Sequence, residues 1–141
     1  MRQNLSFVTL GVGDLARSRA FYRALGWRES SGSQESVAFF DAGGVVFALF
    51  GRAALAEDAG VSGDGSGFQG ITLAHNVESE AAVTRTLEEA VNAGGKLVRN
   101  GEKASWGGFR GYFSDPDGFL WEVCWNPFFP LGADGQVQLP A

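Results

Sequence analysis

Apolar residues in this chain come in short runs separated by glycine-rich or polar breaks, and the runs show two different periods. Residues 5–12 alternate as a strand does, with Phe7 and Thr9 on one face and Val8, Leu10 and Val12 on the other. Asp14 then stands as an N-cap before a stretch in which Leu15, Tyr22 and Leu25 keep helical spacing, and Gly26 fits the position just past the helix end. Residues 27–30, 36–41 and 45–50 are three further β-rich runs, the last two joined through Gly43-Gly44. After residues 51–67, with a helical turn or two over 53–59 and the flexible composition SGDGSG, the order recurs. A strand over 69–76 precedes a helix capped by Ser79, with Val83, Leu87, Ala90 and Val91 as its core stripe and Gly94-Gly95 as its stop. Strands over 96–100, 109–113 and 119–125 follow.

The last of these strands is the most informative. Residues 111–126, GYFSDPDGFLWEVCWN, predict strand, turn and strand, with Pro116 and Gly118 supplying the turn geometry. Alternation puts Phe119, Trp121, Val123 and Trp125 on a face fit to pack on a helix. Leu120, Glu122 and Cys124 share the other face, so one carboxylate stands among apolar neighbours.

The two halves can be superimposed as sequences, FVTL on GITL and FFDAGGVVFALF on YFSDPDGFLWEV. Phe7 then falls on Gly70, and Ala48 on Glu122. Such a repeat predicts duplicated βαβββ units that share a core neither could build alone. The expected fold is α+β: tandem βαβββ modules, eight strands curling into a half-open cup, helices outside. The 141 residues are expected to make a single domain, with module 1 over about 4–50, a join over 51–67, module 2 over about 68–126 and a tail over 127–141.

Composition narrows the function classes. The net charge is −5 and no Lys/Arg cluster is present, which argues against a nucleic-acid or anionic-membrane partner. Cys124 is the only cysteine, so neither an intrachain disulfide nor a cysteine metal cluster can form. The start MRQNLSF has no apolar signal segment and no run reaches membrane-spanning length, so a cytoplasmic protein is expected.

The tandem βαβββ order, the opening FVTLGVGDLARSRAFYRALGW and the closing DPDGFLWEV resemble the vicinal-oxygen-chelate superfamily, which includes glyoxalase I, extradiol dioxygenases, fosfomycin-resistance enzymes and bleomycin-resistance proteins. The resemblance spans about residues 5–126. It implies a metal in the cup, held by ligands from the first and last strand of each half, at positions that fall here on Phe7, Ala48, Gly70 and Glu122. Of these only Glu122 can bind a metal, and one carboxylate is not a metal site. No metal and no other cofactor is therefore expected.

Glu122 has two readings at this point. One is a functional acid, either a general base or a partner for a cationic or hydroxylic ligand. The other is an inherited ligand position, hydrogen-bonded to Thr9, Thr72 or water. The expected lining of the ligand site is Phe7, Thr9, Ala48, Phe50, Gly70, Thr72, Glu122 and Cys124, with Trp106 of the WGG turn leaning over it. His75 has the opposite strand parity and is expected to face away; Lys103 and Arg110 are expected to be solvated near the mouth. The tail's PFFPL and the flexible join are compatible with a homodimer. The resulting expectation is a metal-independent binder of an apolar or aromatic small molecule. The alternatives are a metal-dependent lyase, isomerase or dioxygenase, and a metal-free enzyme with Glu122 as base.

Overall fold

The computed structural model describes all residues except 2, 4, 5, 70, 140 and 141. Two compact units divide the chain, Met1–Gln69 and Gly70–Ala141. Both are α+β, and together they hold seven strands in two sheets and three helices among the described residues. None of these helices is long and apolar enough to cross a membrane.

In the first unit β1 (Phe7–Val12) runs parallel to β3 (Val46–Gly51), which pairs antiparallel with β2 (Val37–Asp41), giving the order β1-β3-β2. Helix α1 (Leu15–Ala24) begins where Asp14 Oδ1 accepts the Arg17 backbone N–H at 3.0 Å, satisfying one of the orphan donors of the first turn. It buries Phe21 and Tyr22, packing on the face of β3 and β2 that carries Phe47 and Phe40. The Tyr22 ring lies 4.8 Å from Phe47 and 6.0 Å from Phe40, centroid to centroid, and Trp27 joins the cluster at 5.2 Å from Phe47. Burial of these rings is the main source of this unit's stability.

One expected strand is reduced to a single bridge. Residues 27–30 contribute only the Glu29–Phe40 contact. The run ends in Ser-Ser-Gly-Ser, which folds into a turn instead: Ser33 N–H donates to the Ser30 carbonyl, and Gly32 N–H to Ser30 Oγ. Trp27 is drawn into the α1 core rather than paired in the sheet. Helix α2 (Arg52–Ala59) follows β3 and ends at Gly60 in the left-handed conformation. It packs on the end of β1, where a Cβ on Gly11 would stand 3.3 Å from Leu55 Cδ2.

The second unit repeats the plan with four strands in the order β4-β7-β6-β5. They are β4 (Leu73–Asn76), β5 (Lys96–Lys103), β6 (Phe109–Ser114) and β7 (Leu120–Trp125). Helix α3 (Glu80–Asn92) is capped by Ser79, whose Oγ accepts from Ala82 N–H at 3.1 Å. Ala82, Val83, Leu87 and Ala90 are buried, whereas Val91, at the edge of the expected stripe, is 43% exposed. The helix covers the face of β7 that carries Trp121 and Val123. Gly111, opposite Val123, has no room for a Cβ: one would stand 2.6 Å from Leu87 Cδ1 and 2.8 Å from the Arg99 carbonyl oxygen. Strand β5 carries two register shifts against β6, between Leu97 and Arg99 and between Arg99 and Glu102.

The β6–β7 turn is organised by Asp115, 2% exposed, whose Oδ1 accepts from the backbone N–H groups of both Asp117 and Phe119 at 2.9 Å. Gly118 closes the turn at φ 88°.

Gly111→Ala is expected to lower stability by about 1–3 kcal/mol, because the new methyl meets backbone as well as Leu87. Urea denaturation would show this as a lower midpoint with an unchanged slope.

Candidate functional site

Each sheet has one face against α1 or α3 and one face away from it. In the first unit the face away from α1 carries Phe7 and Thr9 on β1, Val46, Ala48 and Phe50 on β3, and Val37 and Phe39 on β2, with α2 covering its Gly11 end. Thr9 pairs with Ala48, which pairs in turn with Phe39. The Phe7 ring meets Phe39 edge-on at 6.1 Å and remains 53% exposed. Ala48 is buried at 1%. This face is apolar, and Phe7 and Ala48 on it offer no donor atom to a metal.

The helix-free face of the second sheet has a different chemistry. Strand pairing aligns Ala74, Glu122, Tyr112 and Arg99 in one row across β4, β7, β6 and β5. The next row is Asn76, Cys124, Arg110 and Glu102. Glu122 is half-buried and stands directly opposite Tyr112 on the same face, where its carboxylate can accept from the phenol. Arg110 Nη1 lies 3.2 Å from Glu102 Oε1, and Arg99 pairs with the same carboxylate. Hydrogen bonds from Arg110 and then Arg99 hold Glu102 below the usual carboxylate range.

Two further titrating groups, Tyr112 and Cys124, respond to Glu122. Burial, and then the Glu122 charge, push the Tyr112 phenol up. Burial and the same charge push the Cys124 thiol up to about 11, against the opposing pull of Arg110. His75 lies opposite Val123, on the side that faces α3 and away from Glu122. Partial burial lowers its pKa, and Glu78 and Glu89 oppose the shift.

The candidate residues are thus distributed as follows. Phe7, Thr9, Ala48 and Phe50 share the face away from α1 in the first unit, and Glu122 and Cys124 share the helix-free face of the second. Thr72 is exposed just ahead of β4, two residues before Ala74. Gly70 lies outside the described residues. Trp106 sits in the β5–β6 turn, its ring in the space a Cβ on Gly108 would fill, with Phe128 against Gly107. It is 43% exposed and belongs to the Phe109–Trp125 end of the sheet, three residues or about 10 Å along the strand from Glu122. Arg110, expected in a solvated loop, is instead on β6, opposite Cys124 and paired to Glu102. Tyr112 was not a candidate; the clue to it was its parity with Glu122 across the DPDG turn.

The pairing also refines the internal repeat. Phe39 opposite Ala48 and Tyr112 opposite Glu122 occupy matching places in the two units, so Ala48 does correspond to Glu122. On the first strand of each unit the match is Thr9 with Ala74, two residues on from the FVTL–GITL alignment and on the same face.

The chain belongs to the Glyoxalase/Bleomycin resistance protein/Dioxygenase superfamily, whose family model matches residues 4–123. It is similar to a solved glyoxalase-related enzyme from Fulvimarina pelagi, with 40% identity over 99% of this chain and 100% of that one, and a TM-score of 0.88. A glyoxalase/bleomycin resistance protein/dioxygenase from Nocardioides is 26% identical over 89% of this chain and 84% of that one, with a TM-score of 0.72. A lactoylglutathione lyase from Agrobacterium tumefaciens shares the fold at 19% identity, 89% and 96% coverage and a TM-score of 0.67. No curated protein matches.

The family's enzymes imply a bound divalent metal, and the donor chemistry of this chain does not fit one at the corresponding positions. A phenyl ring and a methyl group stand beside Glu122 in that set, with Gly70 as the fourth member by sequence alignment and Thr72 in its place by strand pairing. Among the described residues no group of three or more His, Cys, Asp or Glu side chains could hold a metal ion.

With its thiol pushed up to about 11, Cys124 has roughly one molecule in a thousand ionised at pH 8. Labelling by a disulfide reagent at that pH is therefore expected to be on the order of 100-fold slower in the native protein than in guanidinium.

Proposed function

We propose that this protein is a metal-independent small-molecule binding protein of the bleomycin-resistance-like type, holding an apolar or aromatic ligand with Glu122 as its polar anchor. One observation carries the reading. Of the four positions that the family resemblance marks for metal ligands, only Glu122 has a carboxylate, imidazole or thiol, and that carboxylate stands opposite a phenol rather than beside further ligands. The half-buried acid is flanked on its own strand face by Leu120 and Cys124, an arrangement that suits a ligand with one polar group on an apolar body.

Elemental analysis tests this. Protein purified without chelator and then offered Mn²⁺, Zn²⁺, Ni²⁺ or Fe²⁺ is expected to retain sub-stoichiometric metal. Stoichiometric metal kept by the wild type and lost in Glu122→Ala would overturn the reading.

A second reading, a metal-free enzyme with Glu122 as general base, is favoured by the Tyr112 pairing, which sets a phenol and a carboxylate side by side on one sheet face. The similar Fulvimarina pelagi protein is described as an enzyme. A ligand recovered chemically unchanged after incubation supports the binder; a changed one supports the enzyme.

Association into a homodimer is part of the same proposal. Phe128, 65% exposed in the tail beside the Trp106 turn, supplies apolar surface for it. Phe128→Asp is expected to shift the protein from dimer to monomer in light scattering.

A further inference from the structure

The two rows around Glu122 carry four charges that cancel: Arg99 and Arg110 against Glu102 and Glu122. Both guanidiniums already converge on Glu102. An anionic ligand would have to displace that carboxylate and approach Glu122 as well. A cationic ligand would add a third positive charge beside Arg110, whose field already reaches Tyr112 and Cys124. A neutral ligand disturbs neither balance.

Glu122 still has acceptor capacity for such a ligand. An ionised carboxylate offers about four lone-pair sites, and a bond from the Tyr112 O–H would take only one of them. Tyr112 is held by its position in the middle of the sheet, between β7 and β5, and stands directly opposite Glu122 on the same face. The surroundings are apolar on three sides: Ala74 across on β4, and Leu120 and Cys124 along β7.

We propose that Tyr112 is the positioning residue for Glu122, and that the pair selects an uncharged ligand donating a hydroxyl hydrogen bond from an aromatic or apolar body. This rests on the small-molecule reading above and names its ligand class. Tyr112 holds the acid and does not touch the reacting or recognised group except through it.

Two measurements test it. The chain has two tyrosines, and the other, Tyr22, is fully buried. Tyrosinate absorbance at high pH, with Tyr112→Phe for assignment, is expected to show Tyr112 titrating above the ordinary tyrosine range. That titration should move down in Glu122→Gln, because the charge and hydrogen-bond acceptor that resist phenol ionisation are weakened. An unmoved titration overturns the pairing.

The second measurement compares 1-naphthol with 1-methoxynaphthalene and 1-naphthylmethylammonium by fluorescence. The wild type is expected to favour 1-naphthol over the methyl ether by about tenfold, and over the ammonium as well. The preference should shrink in Tyr112→Phe and vanish in Glu122→Ala, with circular dichroism showing both variants folded. Equal binding of all three probes overturns the ligand class and leaves the binding reading standing. Preference for the ammonium overturns the neutral-donor argument. Binding of none of the three overturns the aromatic hydroxyl-donor class, while the small-molecule reading stands or falls on the metal analysis above. A preference unchanged in Tyr112→Phe assigns that residue a structural role only.

Discussion

The hydrogen bonds from Asp117 and Phe119 to the buried Asp115 carboxylate are the constraint on which the second sheet depends. They set the length and geometry of the β6–β7 turn, and the turn sets the register of the strand that follows. In a sheet with one covered face, a slip of one residue sends every side chain to the opposite side. Here it would drive Glu122 against α3 and lift Trp121 and Val123 out of the core. The partnership of Glu122 with Tyr112 is thus decided several residues away, by an aspartate that touches neither.

Much of this architecture was legible in the sequence because it rests on local signals. Asp14 and Ser79 cap the helices expected of them, and Gly26 and Gly94 stop them. Period-two alternation put Leu10 and Val12 on the helix side, and likewise Trp121 and Val123. The strand expected over 27–30 failed for an equally local reason, since the Ser30 hydroxyl and carbonyl offered the following backbone N–H groups a turn instead of a ladder. Glu122 and its apolar neighbours could be read from parity alone. Its partner could not, because Tyr112 looks like any aromatic in a strand until pairing places it.

The charged members of the site were hidden for a different reason. Strict alternation along β5 would set Val98 opposite Tyr112 and leave Arg99 on the helix side. The two register shifts each admit an extra residue, and in consequence Arg99 and Glu102, three apart in sequence, both reach the helix-free face. Propensity and hydrophobic pattern carry no mark of such insertions. The contrast between the units has the same flavour: a shared plan gives one an aromatic face around Phe7, Phe39 and Ala48, and gives the other a balanced set of charges around a phenol.

The bulges of β5 also govern how the sheet ends. This strand is an outer edge, eight residues long, and a straight edge of that length would present a continuous template of backbone groups to any other extended chain. Two interruptions break the template into segments too short to propagate, and Lys96, Arg99, Glu102 and Lys103 surround it with charge. The irregularity that assembles the ionic half of the site therefore also keeps this edge from seeding strand-by-strand aggregation.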